Sequence, residues 1–173
     1  LGDVYKRQGK HGYEILADNT VEELKHIHAV YDLAKEQGDI TDSSYEALEK
    51  RWKDENAERS EKVEKGEVIY GLKEYTFQLY LDYEISTLKE KYCNDTNREG
   101  MKLTEDQIQE HYQSREWIFG DSDENADLEM ARIAVERELR EQKYDDMITQ
   151  RETGSQVAGN MENVNRITLK NIQ

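Results

Sequence analysis

Acids, histidines and tyrosines are the residues here that could do chemistry, and their spacing decides how much each group can do. Asp121-Ser122-Asp123-Glu124-Asn125 opens like the calcium loop of an EF-hand. That loop requires glycine at its sixth position and a bidentate glutamate at its twelfth, where this chain carries Ala126 and Arg132. These carboxylates read instead as the acidic start of a helix, where the macrodipole favours negative charge. His26 and His28 stand two apart and point in different directions on a helix. His11 and His111 have no flanking ligand pattern, and none of the four histidines belongs to a His-Glu-x-x-His arrangement. No metal site and no cofactor are expected. Carboxylate pairs are abundant among 39 acids, but a catalytic pair needs a pocket that separates the two pKa values. No pair here lies in such an apolar setting, and there is no P-loop, dinucleotide fingerprint or nucleophile elbow. No catalytic residue is assigned.

The tyrosines carry the stronger signal. Eleven tyrosines against two phenylalanines is a skew towards rings that tolerate water at one end. Tyr75, Tyr80 and Tyr83, with Phe77, concentrate in one segment and are the candidate residues for gripping apolar peptide segments. The alternative is a small core lined at its rim by amphipathic rings.

Charge narrows the classes of partner. Lys+Arg number 24 and Asp+Glu 39, giving a net charge of −15. No stretch collects the basic cluster that a phosphate backbone or anionic lipid demands, so nucleic acid and membrane surfaces are not expected partners. No apolar run reaches the length of about 18 residues that a membrane span requires. The single cysteine, Cys93, excludes an intramolecular disulfide and a cysteine-based zinc site. Charged residues make up 36% of the chain, above the usual share of about 25%, which favours long exposed helices over a thick core.

There is no proline, so nothing forces a helix to break, and boundaries are read from glycines and caps. Thr20 with Glu23 fits a capping box, followed by Leu24, Ile27, Tyr31 and Ala34 at helical spacing and by Gly38. A helix is predicted over 20–37. Ser43 and Glu46 offer a second start, with Tyr45, Leu48 and Trp52 as its apolar stripe. Beyond Trp52 only Ala57 and Val63 could pack, while Glu58/Lys62 and Glu61/Lys65 sit at i, i+4. The expectation is an exposed helical arm over 53–65. Val68, Ile69 and Tyr70, bracketed by Gly66 and Gly71, are expected to tuck inward. A third helix is predicted over 75–92, then a polar loop over 93–102. A short helix is capped by Thr104 and Gln107, and a last long helix spans about 125–150. Trp117, Phe119, Val135 and Leu139 are the expected core. Arg166-Ile167-Thr168-Leu169 reads as a short strand or as nothing ordered.

The fold class is therefore all-α: an elongated helical domain of about five helices, with a charged helical arm and little or no β structure. Residues 1–12 read as a leader, 13–152 as the helical domain and 153–173 as a polar tail. The leader begins Leu1-Gly2-Asp3-Val4-Tyr5-Lys6-Arg7-Gln8, lacks an initiator methionine and resembles a translated sequencing-adaptor fragment. A genuine N-terminus, with any export signal or anchor, is expected upstream.

Several runs in order resemble the chaperone domain of SurA/PrsA, the N-terminal helical region of parvulin-type foldases. They are Asp54-Glu55-Asn56-Ala57-Glu58-Arg59, Glu67-Val68-Ile69-Tyr70-Gly71, Tyr80-Leu81-Asp82-Tyr83, the Thr104 to Tyr112 helix and the Val135 to Tyr144 helix. The resemblance covers roughly residues 40–150. Leu72 departs from it, standing where a proline would follow the glycine. It implies a helical cradle that binds unfolded or extended polypeptides, in an extracytoplasmic setting (cytoplasmic if the resemblance does not hold), with no isomerase activity, because residues 120–125 leave no room for the inserted prolyl isomerase domain. Two other readings stand beside it. One is a structural or regulatory interaction module whose charged arm docks one specific partner. The other is an enzyme whose site lies in a lost N-terminal segment.

Overall fold

A computed structural model describes residues 6–7, 10–120, 124–154 and 161–171. Much of the leader, Asp121 to Asp123 of the calcium-loop motif and residues 155–160 of the tail therefore lie outside the described residues. Six helices are described: α1 (Gly12–Glu36), α2 (Tyr45–Glu64), α3 (Phe77–Asn94), α4 (Glu105–Gln113), α5 (Leu128–Gly154) and α6 (Met161–Asn171). The described β structure is one two-residue antiparallel pairing of β1 (Lys6–Arg7) with β2 (Lys10–His11). The fold is all-α.

Helices α1, α3 and α5 pack on one another; α2 lies on α3, α4 on α5, and α6 on α1. Two apolar clusters result. The larger joins Val30, Tyr31 and Leu33 of α1 to Leu48 of α2, Leu81 and Leu88 of α3, and Tyr144 and Ile148 of α5. The smaller joins Ile108, Trp117, Ala126, Ala131 and Val135. Both draw on α5, whose 27 residues span about 40 Å at 1.5 Å each. The accessible surface is 12530 Å², against roughly 8800 Å² for a compact monomer of this mass. The core is thin and drawn out along α5.

Capping chemistry sets most of the boundaries. The C-terminus of α1 closes on Gly38 at φ +74, with Asp39 N–H donating to Ala34 O (2.8 Å) and Gly38 N–H to Lys35 O (3.0 Å). This is the paired closure in which a left-handed residue satisfies the last carbonyls. The α2 end repeats it, with Glu67 N–H reaching Lys62 O (2.9 Å) and Gly66 N–H reaching Val63 O (3.0 Å). Thr104 and Gln107 form the reciprocal box that starts α4. Asp127 opens α5, its side chain accepting from Met130 N–H (2.9 Å).

Several sequence-based expectations need correction. α1 begins at Gly12, not near Thr20: the Thr20 hydroxyl donates back to Leu16 O (2.9 Å), and Ala17 is already buried. The N-cap of α2 is Ser44, which accepts from Ala47 N–H, rather than Ser43. The stretch 93–102 is not wholly a polar loop, because α3 runs to Asn94 and both Cys93 and Met101 are buried. Trp117 and Val135 are core and Leu139 is half-buried, but Phe119 is 42% exposed. Arg166 to Leu169 form neither a strand nor a disordered end; they belong to α6. Met161, Val164, Asn165, Thr168 and Leu169 are its half-buried positions, a helical stripe that becomes visible only against α1.

Candidate functional site

The candidate site is built on α2, the loop that follows it, and the first half of α3. Beyond Trp52 the arm is kept helical by salt bridges four residues apart: Glu55 with Arg59 (2.8 Å), Glu58 with Lys62 (2.5 Å) and Glu61 with Lys65 (2.6 Å). Such pairs, screened by water, favour the helix only slightly. As expected of an exposed arm, Ala57 and Val63, the two apolar residues that could have packed, are both exposed. The packed face is polar instead. Trp52, Asn56 and Arg59 recur at spacings of four and three, on one side of the helix.

That side clamps the loop. The Trp52 indole N–H donates to Tyr75 O (2.7 Å) and the Asn56 amide donates to the same carbonyl (2.9 Å). Asn56 Oδ1 accepts from Tyr75 N–H (2.8 Å). Arg59 donates to the carbonyls of Tyr70 (3.0 Å) and Leu72 (2.8 Å), and its guanidinium lies 4.6 Å from the Tyr75 ring centre. Loop carbonyls and amides that no sheet or helix satisfies are thus satisfied by side chains, which is what a fixed irregular segment needs. With the backbone tied to the arm, the side chains turn outward. Val68 is 78% exposed and Tyr70 87%, so the inward tuck expected of Val68, Ile69 and Tyr70 holds only for half-buried Ile69.

The four candidate residues fall at graded depths. Tyr75 stacks on Tyr83 (centroids 5.2 Å apart), and both approach Tyr80 at 6.3 and 6.2 Å. Phe77 sits between Trp52 (5.5 Å) and Tyr45 (5.7 Å). Tyr75 and Phe77 are half-buried and Tyr83 is 41% exposed, whereas Tyr80 is only 5% exposed. In this conformation Tyr80 supports the cluster from beneath, and the accessible apolar surface comes from Tyr83 with Leu79, Leu72, Tyr70 and Val68.

Beneath the cluster lies a buried charge. Glu84 Oε1 accepts from Arg51 Nε (2.7 Å) and the Tyr80 hydroxyl (2.9 Å). Its Oε2 accepts from the Tyr31 hydroxyl (2.5 Å) and Arg51 Nη2 (3.1 Å). Burial, and then the neighbouring Glu84 carboxylate, push both tyrosine hydroxyls well above their ordinary range. A buried carboxylate with this many donors is satisfied, so it reads as a joint between α1, α2 and α3 rather than a reactive acid. Nothing in the composition flags Glu84 or Arg51. The spacing of Glu84 four residues after Tyr80 was the available signal, as the Trp52/Asn56/Arg59 spacing was for the clamp.

Other chemistry is absent among the described residues. No group of three or more His, Cys, Asp or Glu is placed to hold a metal ion. His26 Nδ1 lies 2.6 Å from Glu152, and half-buried His111 packs edge-on against Trp117. Among the described residues no helix is long and apolar enough to cross a membrane.

The chain is thus all-α, with an irregular aromatic loop clamped between its arm and α3. Among known proteins it is similar to the chaperone for lacto-N-biosidase of Bifidobacterium longum subsp. longum, at 30% identity over 136 residues. The match covers 79% of this chain and 49% of that protein, so the chain spans about half the length of the curated relative it matches. No family model matches, and no solved structure matches.

Proposed function

We propose that this chain is a non-enzymatic, chaperone-like protein that holds other polypeptides against the aromatic face formed by the 66–76 loop and α3. The observation that carries the reading is a set of large apolar side chains in water: Val68, Tyr70 and Leu72 on a loop whose backbone Asn56 and Arg59 hold at Tyr70, Leu72 and Tyr75, and Leu79 and Tyr83 on α3. A protein whose core is already thin gains nothing in stability from exposing them, and such patches mark binding surfaces. The chaperone-named relative supports the same class of function. With the foldase resemblance comes an extracytoplasmic setting, which fractionation of the native host would test.

The expected assay result is slower aggregation of a chemically unfolded client in the presence of the purified chain. The double variant Tyr70→Ser/Tyr83→Ser, confined to exposed positions, should lose that effect while keeping its helical circular dichroism. If the unaltered chain neither slows aggregation nor binds unfolded polypeptide, the reading is wrong.

A second reading, one dedicated partner instead of many unfolded ones, is favoured by the name of the relative, which specifies a single enzyme. Pull-down separates them: one stoichiometric partner supports the dedicated version, and many weak unfolded ones support the general version.

A further inference from the structure

Resting on the reading that this face holds polypeptide, we propose that the segments it selects carry lysine or arginine beside their apolar residues, and that acidic segments are rejected. The argument comes from which charges near the face are already used. Along the arm, Arg59, Lys62 and Lys65 are each ion-paired to a glutamate of the same helix. These cations are neutralised locally and offer little attraction to an acidic guest. The acids interleaved with the exposed apolar residues are in a different state. Glu67 precedes Val68, Glu74 precedes Tyr75, and Asp82 precedes Tyr83. All three are exposed, and none forms a salt bridge among the described residues; the Asp82 carboxylate accepts from Gln78 (3.2 Å). Lys73 is the one cation interleaved with them. Three carboxylates outside any described salt bridge, of which Glu67 also feels the charge of Lys62, stand against one interleaved ammonium, which leaves an excess of negative charge around the apolar face on a chain of net charge −15.

The rings add to this preference. The Tyr75 ring carries the Arg59 guanidinium at 4.6 Å and stacks on Tyr83, so a cation on a tyrosine ring is already part of the site. Tyr83, stacked on the same ring and 41% exposed, leaves ring surface for a second cation, an attraction that grows as water is excluded. Apolar contact supplies affinity, and the carboxylates decide which charge may accompany it.

Two fluorescent peptides of identical leucine and tyrosine content, one flanked by lysine and the other by glutamate, test this against the intact chain by fluorescence anisotropy. The lysine peptide is expected to bind about tenfold or more tightly at low salt, with the gap closing as salt screens it. The triple variant Glu67→Gln/Glu74→Gln/Asp82→Asn should narrow the gap with unchanged circular dichroism, and Tyr83→Ala should weaken both peptides. Equal binding of the two peptides would overturn the charge selection and leave polypeptide holding intact. Binding of neither would overturn both, and tighter binding of the glutamate peptide would reverse the sign of the proposal.

Discussion

Replacing Glu84 with alanine removes the acceptor for four hydrogen bonds at once. Arg51 Nε and Nη2 and the hydroxyls of Tyr31 and Tyr80 all converge on this carboxylate. The side chains of Glu84 and Arg51 are 11% and 25% exposed, so the charge left behind is only partly rehydrated. Breaking a buried pair from one side costs about 3–5 kcal/mol, and each buried hydroxyl left without an acceptor adds to the same penalty. The residual exposure of Arg51, and its remaining bond to Asp42 O (3.0 Å), favour the lower end, about 3 kcal/mol. For a chain of this length that corresponds to a fall of roughly 6–12 °C in Tm. Glu84→Gln keeps an acceptor oxygen but loses the charge, and should cost about half as much; Tyr31→Phe and Tyr80→Phe should each cost about 1 kcal/mol. Urea denaturation followed at the helical circular dichroism band gives all four values. A loss below about 1 kcal/mol for Glu84→Ala, or equal losses for the alanine and glutamine variants, would refute the idea that this carboxylate joins α2 to α1 and α3.

Four further outcomes are expected. Asp39 is held by Arg98 (2.6 and 2.8 Å) and Lys91 (2.7 Å), and hydrogen bonding from Arg98 above all holds its carboxyl below the usual carboxylate range. A depressed folded value means this contribution is complete above about pH 4 and is lost as pH falls through the folded value; urea titrations from pH 6 to pH 2 should show a steeper loss for the native chain than for Asp39→Asn. Asn56→Ala removes both of its bonds to the Tyr75 backbone, and hydrogen exchange at the Tyr75 amide should speed up at least about tenfold, the equivalent of 1.4 kcal/mol of local stability. Val135→Ala, at a fully buried position, should cost about 2 kcal/mol, while Phe119→Ser, at an exposed one, should stay within about 0.5 kcal/mol; equal effects would contradict the burial assigned to them. Burial pushes the Cys93 thiol up to about 11, so a thiol-specific disulfide reagent at pH 8 should modify it slowly in the folded chain and rapidly in urea.

The short-range content of this molecule is written in its sequence. Gly38 and the Thr104/Gln107 box mark helix ends because a left-handed residue and a reciprocal cap act within a few residues. The arm follows from salt bridges four apart, and the placing of Trp117 and Val135 inside follows from their size and apolar character. The same local rules misplaced the start of α1, because Thr20 can bond forward as a cap or backward to Leu16, and nothing nearby prefers one. They also missed α6, whose stripe includes Asn165 and Thr168 and becomes a packing face only once α1 supplies the other side.

What tertiary structure alone decided is the division of labour among the tyrosines. Tyr80 and Tyr83 lie on the same apolar helix, yet Tyr80 is buried where its hydroxyl joins Tyr31 of α1 and Arg51 of α2 on the Glu84 carboxylate, while Tyr83 is left at the surface. The separations involved, 53 residues from Tyr31 to Glu84 and 33 from Arg51 to Glu84, are beyond any periodicity. Propensity and spacing describe energies that act within a turn or two of helix. Burial depends on which distant groups meet, and that meeting determines which rings remain free to hold a guest.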